Sequence, residues 1–445
     1  MKLTLQFFII ALTTGCWATV PPGHDTARQI QSASGLATAI AFHTDSLPLN
    51  AAKASNTLTL SEAIEGALRQ SAELQIALAE VRVAQAEAHQ SRLLPNPVLD
   101  IALRFPEGGG STIVETSVSA DLVKVLQMPR RISASDAALR AASARAVTIA
   151  LDAIAKTQRG YFTVHALRSE VELITQRTSH LTELLAIAQA RLKAGEITQL
   201  DVTTLKAEQA VAAIDLRDRK LQLDLEELAL ARLLGQPGGT TDWSLATPLP
   251  AIPTTGDESG NITRALRTRP EIQAERWQLA SLKDHRALAR LAWLKGAAAG
   301  LDAERDSDWS LGPSVDVPLP LFDWGQAQRA KARAQAIAAR HRLTKTLRQI
   351  VQEVRQAQVS LAQLGVIVRQ AREELVPLQT ERVRLARAVY EAGQSDITPM
   401  RLAELDLLEA RRKLLQLELR TALASTQLER SMGGAKENQK PNANR

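Results

Sequence analysis

The chain has 445 residues, with 54 Lys and Arg against 48 Asp and Glu, for a formal net charge of +6. Aromatics make up only 3% while Ala, Leu, Gln, Arg and Glu abound, a composition of long helices packed through small aliphatic contacts, not of a β-sandwich or an aromatic-cored enzyme. The charges alternate in sign and no basic patch is interleaved with aromatics, so the basic balance does not mark nucleic-acid binding. A single cysteine, Cys16, excludes a disulfide framework and a zinc cluster. The seven histidines are scattered, and none stands three or four residues from another as a helical metal site needs. No cofactor is expected.

In chain order, residues 1–16 read as a signal peptide. Lys2 precedes an apolar run over 3–12, too short for a bilayer span of about 20 residues but suited to a secretory h-region. Thr13-Thr14-Gly15-Cys16 is similar to a bacterial lipoprotein box, with Cys16 as the lipidation site. Thr13 stands where such boxes prefer Leu, and ordinary cleavage near Ala18 is the alternative. Residues 17–56 form an irregular N-terminal tail. No other stretch reaches 18 apolar residues, so a membrane-spanning part must be a closed barrel.

From residue 57 the chain repeats itself. Ala67-Leu68-Arg69 recurs as Ala265-Leu266-Arg267, Ala194-Gly195 as Ala392-Gly393, and Arg232 with Gly235 as Arg430 with Gly433, always 198 residues on. A constant offset defines two copies, 57–240 and 257–434, joined by a linker at 241–256 and followed by a C-terminal tail at 435–445. Each copy opens with a helix, capped at Ser61 in the first, running to Pro95-Asn96-Pro97, and spanning about 260–293 in the second. A β-hairpin follows, at 97–126 and 297–324.

In the hairpins Leu99, Ile101, Leu103 and Phe105 oppose Asp100, Ala102 and Arg104, and Val114, Thr116, Val118, Ala120 and Leu122 oppose Glu115, Ser117, Ser119 and Asp121. In the second copy Ala299, Leu301 and Ala303 oppose Gly300, Asp302 and Glu304, and Trp309, Leu311, Pro313, Val315 and Val317 oppose Ser310, Gly312, Ser314 and Asp316. Period-two alternation means strands with one apolar face. Pattern alone leaves open whether that face meets lipid or a soluble core. A long helix is then expected over about 130–194 and 325–392, some 98 Å at 1.5 Å per residue, with Pro377 kinking or breaking the second. Gly195 and Gly393 stop these helices, and return helices run over about 198–234 and 397–432. Antiparallel pairs with coiled-coil character result.

This order, twice over behind a signal peptide, resembles the TolC-like outer-membrane efflux protein family. Leu60-Ser61-Glu62-Ala63 with Leu93-Leu94-Pro95-Asn96-Pro97 is similar to its heavy-metal (CzcC/CusC-like) branch. Pro320-Leu321-Phe322-Asp323-Trp324-Gly325 resembles the family's strand-to-helix junction, and Lys193-Ala194-Gly195-Glu196-Ile197 its helix-tip turn. The resemblance implies a mainly α protein with a small β part. Four strands per protomer would enter a twelve-stranded barrel of a homotrimer in the bacterial outer membrane, with a periplasmic helical tunnel. Its partners would be outer-membrane lipid, a periplasmic adaptor and an inner-membrane pump, and its function efflux of heavy-metal cations or drugs through a passive gated channel.

The expected sites follow. Asp100, Glu115, Asp121, Asp302, Glu304 and Asp316 would line the lumen and favour cations. Gly195 and Gly393 would dock the adaptor, with Arg191, Lys193, Arg384 and Arg387 nearby. The family's gate places an Asp six residues after the tip glycine. Asp201 fits in the first copy, whereas the second has Pro399 there, leaving Asp396 and Glu404 to compensate. Two other classes compete: a periplasmic adaptor, which would need one hairpin and β-rich flanks, and a structural coiled-coil envelope protein. An enzyme is not expected, because no nucleophile–base set, phosphate loop or metal cluster is visible. The hairpin segments hold ten acids and three bases, so the remaining chain carries the basic excess.

Overall fold

The computed structural model describes residues 26–34, 40, 42–49, 56–105, 107–109, 111–251, 256–305 and 308–434. The signal peptide with Cys16, most of the N-terminal tail and the C-terminal tail lie outside the described residues. After α1 (Thr26–Ser34), the first copy comprises β1 (Thr57–Leu58), α2 (Leu60–Gln70), α3 (Ala72–Gln90), β2 (Val98–Arg104), β3 (Ile113–Asp121), α4 (Leu122–Leu126), α5 (Met128–Lys193) and α6 (Gln199–Leu233). The second comprises β4 (Ser244–Leu245), α7 (Glu258–Thr268), α8 (Pro270–Leu288), a 3-10 turn (Ala289–Leu294), β5 (Ala298–Arg305), β6 (Trp309–Asp316), α9 (Gln326–Gln370), a π turn (Ala371–Leu375), α10 (Val376–Glu391) and α11 (Ile397–Ser431). The bounds of α2, α3 and α6 recur 198 residues later in α7, α8 and α11.

Several local expectations are corrected. The opening helix is capped by Thr59, not Ser61: the Thr59 hydroxyl accepts from the Glu62 amide while Glu62 accepts from the Thr59 amide, a reciprocal capping box. That helix is not continuous to Pro95. It breaks at Ser71, whose hydroxyl accepts from the Leu74 amide and starts α3, and α3 ends at Gln90. The strands are shorter than the hairpin segments. Leu122 begins α4 and Val317 follows β6, so neither belongs to a strand. Pro377 does not break its helix; five residues of π helix ahead of it absorb the missing N–H and the ring's clash with the preceding turn.

The chain forms two compact units, each drawing on both copies. The first includes Ile76–Ala146 and Pro270–Leu347 and holds the β-sheet. Its strands run in the order β2-β3-β5-β6, every neighbour antiparallel. Its helices are tied by polar links. Arg92 pairs with Asp136 at 2.8 Å, and Asp284 accepts from Arg130 at 2.8 Å and Ser133 at 2.6 Å. The Arg140 guanidinium lies 4.5 Å over the Trp277 ring.

The second unit includes Val147–Arg269 and the described part of Arg348–Arg445. One of its cores gathers Leu58, Ala63, Tyr161, Phe162, Leu230, Trp243 and Ala422. The linker expected at 241–256 contributes here: β4 pairs in parallel with β1, and Arg168 bonds the Trp243 carbonyl at 2.7 Å while stacking on its ring. The α2–α6 contact needs glycine. A Cβ on Gly235 would stand 2.5 Å from the Gln70 Cβ, and at the same place in the second copy a Cβ on Gly433 would stand 2.8 Å from the Thr268 hydroxyl. Among the described residues no helix is long and apolar enough to cross a membrane.

Tyr161 is fully buried, donates to the Leu58 carbonyl at 3.0 Å and accepts from the Thr247 amide at 2.8 Å. Tyr161→Phe leaves the Thr247 amide unsatisfied, while the Leu58 carbonyl keeps its bond from the Ala246 amide at 3.1 Å, so a loss of about 1–3 kcal/mol in unfolding free energy is expected from denaturant titration. An unchanged midpoint would contradict the bridging role.

Candidate functional site

The strand register decides what the sheet presents. Asp100 stands opposite Ser117, Ser117 opposite Asp302, and Asp302 opposite Gly312. One row on the same face, Ala102, Glu115, Glu304 and Ser310 align. Side chains alternate across a sheet, so Leu99, Val118, Leu301 and Pro313 form a row of the other face. That face is uncovered: Leu99 is 60% exposed, Ile101 61%, Leu311 75% and Val315 67%.

Five of the six acids expected in the lumen, Asp100, Glu115, Asp302, Glu304 and Asp316, line a groove of about 620 Å³ on the polar face. Glu115 and Glu304 oppose one another directly, a like-charge pairing that Arg104 relieves at 2.8 Å from Glu115. Asp302 accepts from the Ser314 hydroxyl at 2.9 Å. Asp121, the sixth, shares the face but caps α4, accepting from the Lys124 amide at 2.8 Å and pairing with its ammonium at 3.1 Å. The outer edges of β2 and β6 pair with no other described strand.

In the second unit, both long helices end in the same turn. The Gly195 and Gly393 backbones are left-handed, at φ +75° and +66°, where an L side chain is strained. The Glu196 amide reaches back to the Arg191 carbonyl at 2.9 Å, and the Gln394 amide to that of Val389 at 3.1 Å, closing each helix. A Cβ at either glycine would meet nothing within 4 Å, so both tips are open.

The gate candidates divide. Asp201 accepts from the Thr198 amide at 2.8 Å and hydroxyl at 2.7 Å, a capping box that starts α6. The Thr198 hydroxyl, then its amide, holds that carboxyl below its ordinary pKa. Asp396, which caps α11, also meets Arg191 of the first copy's tip. Arg191 further bonds Glu196 at 3.0 Å. Glu404 gathers Arg401 at 2.9 Å, Arg387 at 3.2 Å and the His180 ring at 3.6 Å. Arg191 and Arg387, expected as docking bases, therefore pair with gate candidates, and Arg384 pairs with Glu381 at 2.6 Å. Lys193 is exposed.

Sequence reasoning missed a third cluster. Glu170, 5% exposed, accepts from Arg412 at 3.0 Å and Gln416 at 2.8 Å, and Arg412 also reaches Asp215 at 2.8 Å. It joins α5, α6 and α11 across more than 190 residues of sequence, beyond any short-range spacing. Among the described residues no group of three His, Cys, Asp or Glu is placed to hold a metal.

The family model described as outer membrane efflux protein matches residues 63–236 and again 261–434. The chain belongs to the outer membrane efflux protein family. This member is 24% identical over 424 residues to the cobalt-zinc-cadmium resistance protein CzcC of Cupriavidus metallidurans, covering 88% of this chain and 93% of that one. Its fold is similar to that of the outer-membrane channel OprN, with a TM-score of 0.70 and 22% identity over 84% of this chain and 90% of that one. It is also similar to the outer membrane protein VceC of Vibrio cholerae, with a TM-score of 0.68 and 22% identity over 84% and 96%. This efflux protein is the outer-membrane channel component of a tripartite system, located in the bacterial outer membrane with its helical part in the periplasm.

The Thr398 hydroxyl, then the Ile397 amide and Arg191, hold the Asp396 carboxyl below its ordinary range against an opposing desolvation. A carboxyl depressed on folding stabilises above its unfolded pKa and loses that contribution as pH falls through the lower folded value. Protection factors of the amides at 394–398 and 400, corrected for the intrinsic slowing of exchange with falling pH, are therefore expected to hold from pH 7 to about 5 and to fall only as pH drops through the lowered folded pKa. Arg191→Ala is expected to lower them at neutral pH. Protection that falls between pH 7 and 5 would contradict this.

Proposed function

We propose that three copies of this chain close their sheets into one twelve-stranded barrel, forming a passive gated conduit that receives substrate from an inner-membrane pump through a periplasmic adaptor. The observation that carries this reading is the sheet: apolar on one face, acidic on the other, open at both edges. With four alternating strands, the β6 edge of one copy meets the β2 edge of the next antiparallel, as every other pair in the sheet does. Outward apolar rows then face lipid and inward acids face water. A row on α6 supports a second copy as its neighbour: Val211, Ile214, Leu221, Leu225 and Leu228 repeat at helical spacing, each more than half exposed.

The conduit needs no catalytic group and no cofactor. Acid rings of Asp100, Glu115, Asp302, Glu304 and Asp316 favour cations. Similarity to the cobalt-zinc-cadmium resistance protein supports metal cations over drugs as substrate. The tips at Gly195 and Gly393 dock the adaptor. The gate lies where Asp396 and Glu404 draw Arg191, Arg387 and Arg401 together, and Asp201 contributes by fixing the tip turn. Cleavage before Cys16 removes the leader at 1–15, and lipidation at Cys16 anchors the mature chain.

Planar-bilayer conductance tests both parts. Glu304→Lys with Asp316→Lys is expected to lower the cation-to-anion permeability ratio severalfold, and Arg191→Ala to raise the conductance of the resting channel. Unchanged selectivity would contradict the acid rings, and unchanged resting conductance the gate.

A further inference from the structure

From Trp324 to Gln352 the chain carries seven Lys or Arg and no Asp or Glu. The alternation of charge that holds elsewhere fails here. Arg329, Lys331 and Arg333 fall within the first eight residues of α9, about 12 Å of helix. All three are exposed, and none pairs with an acid among the described residues. The start of α9 is fixed in place, since a Cβ on Gly325 would stand 3.2 Å from that of Ala292 and 3.5 Å from the Trp293 amide. The 3-10 turn it packs on bears exposed Arg290 and leads to exposed Lys295.

Apolar side chains border these bases on the strand side. Phe322 is 92% exposed, Leu319, Leu321 and Trp324 are exposed as well, and Trp293 lies across the Gly325 contact. Nearby in the same unit, a cavity of about 640 Å³ is lined by Leu93, Leu94 and Pro95 together with Arg131 and the Asp121–Lys124 pair. The junction thus presents an apolar collar and then unpaired cations. A neighbouring copy offers too few free acids here: Asp136 pairs with Arg92, Asp284 with Arg130, and Asp323 accepts from the Gly325 amide, which leaves exposed Glu87 against three bases. An acidic protein surface would satisfy the bases and leave the collar bare. An amphiphile with an anionic head satisfies both.

We propose that this junction binds anionic phospholipid of the leaflet nearest the helices, with the phosphate on Arg329, Lys331 and Arg333 and acyl chains along Phe322 and Trp324. The proposal rests on the membrane reading above and adds a headgroup preference to it. Basic residues beside a bilayer attract anionic lipid, whereas the collar alone would take any lipid.

The test reconstitutes the full chain, carrying Trp309→Phe, into phosphatidylethanolamine vesicles that contain brominated phosphatidylglycerol or brominated phosphatidylcholine. Tryptophan quenching is read against mole fraction. Half-maximal quenching is expected at about fivefold less phosphatidylglycerol than phosphatidylcholine. Arg329→Gln with Lys331→Gln and Arg333→Gln is expected to abolish that preference while leaving quenching by phosphatidylcholine unchanged, and Arg329→Lys with Arg333→Lys to retain it. Equal quenching by both lipids in the parent protein, or a preference that survives the triple Gln variant, would overturn the proposal and leave an acidic protein as the occupant. No quenching by either lipid would overturn the membrane reading, and this proposal with it.

Discussion

The proposed channel depends on backbone hydrogen bonds at two sheet edges that no other described strand completes. A four-stranded sheet has two edges, and an edge left unpaired in hydrocarbon costs several kcal/mol per group. Here β2 and β6 are those edges, and the face between them offers Leu99, Ile101, Leu311 and Val315 to its surroundings. In water that face would be an aggregation site. In the proposed closed barrel the edges pair with neighbouring copies and the exposed apolar rows face the lipid. The acids on the opposite face are then confined to a wet lumen, where like charges such as Glu115 and Glu304 sit close and impose a field on what passes.

The helices divide their labour by the kind of contact they make. At the first copy's tip, Leu185, Ala188 and Val202 pack as a buried cluster backed by Leu192, Ile197 and Leu205. In the second copy, apolar clusters around Leu361 and Leu364 lie before the π turn, whereas α10 after it buries no residue. There Arg382 pairs with Asp406 at 2.5 Å and Arg387 with Glu404 at 3.2 Å. Apolar packing is lost gradually when helices part, but ion pairs at an exposed surface are weak and exchange readily with water. Under the proposed gate, α10, which is tied to α11 by such pairs while α11 buries Met400, Ala403 and Leu405, is the side of the tip that a docking partner releases.

Much of the fold was legible because its signals are local. Alternation in 98–104 and 309–316 sets the faces, left-handed glycines set the tips, and the 198-residue recurrence sets the element order. What was not legible is what side chains do across elements. Asp201 matched a gate pattern in spacing, yet its hydrogen bonds lie within its own helix start. Asp396 met no pattern, and its partner Arg191 lies 205 residues away. Asp121 read as a lumen acid and shares that face, but its second role as the cap of α4 was not legible, because strand and helix meet at that residue. The run of bases after Trp324 was hidden by a whole-chain charge balance, since averaging over 445 residues erases a one-sided stretch of 29.

The most direct test of the shared barrel is disulfide trapping between its open edges. Cys substitutions at Val98, Asp100, Ala102 or Arg104 on β2 are combined with ones at Ser310, Gly312, Ser314 or Asp316 on β6, all on the same face, to scan the stagger that barrel closure requires. Oxidation of the pairs in register in native membranes is expected to give a covalent ladder that stops at three chains, with no single variant doing so. A ladder that runs on past three, or monomer alone for every pair after complete oxidation, would contradict a closed trimeric barrel.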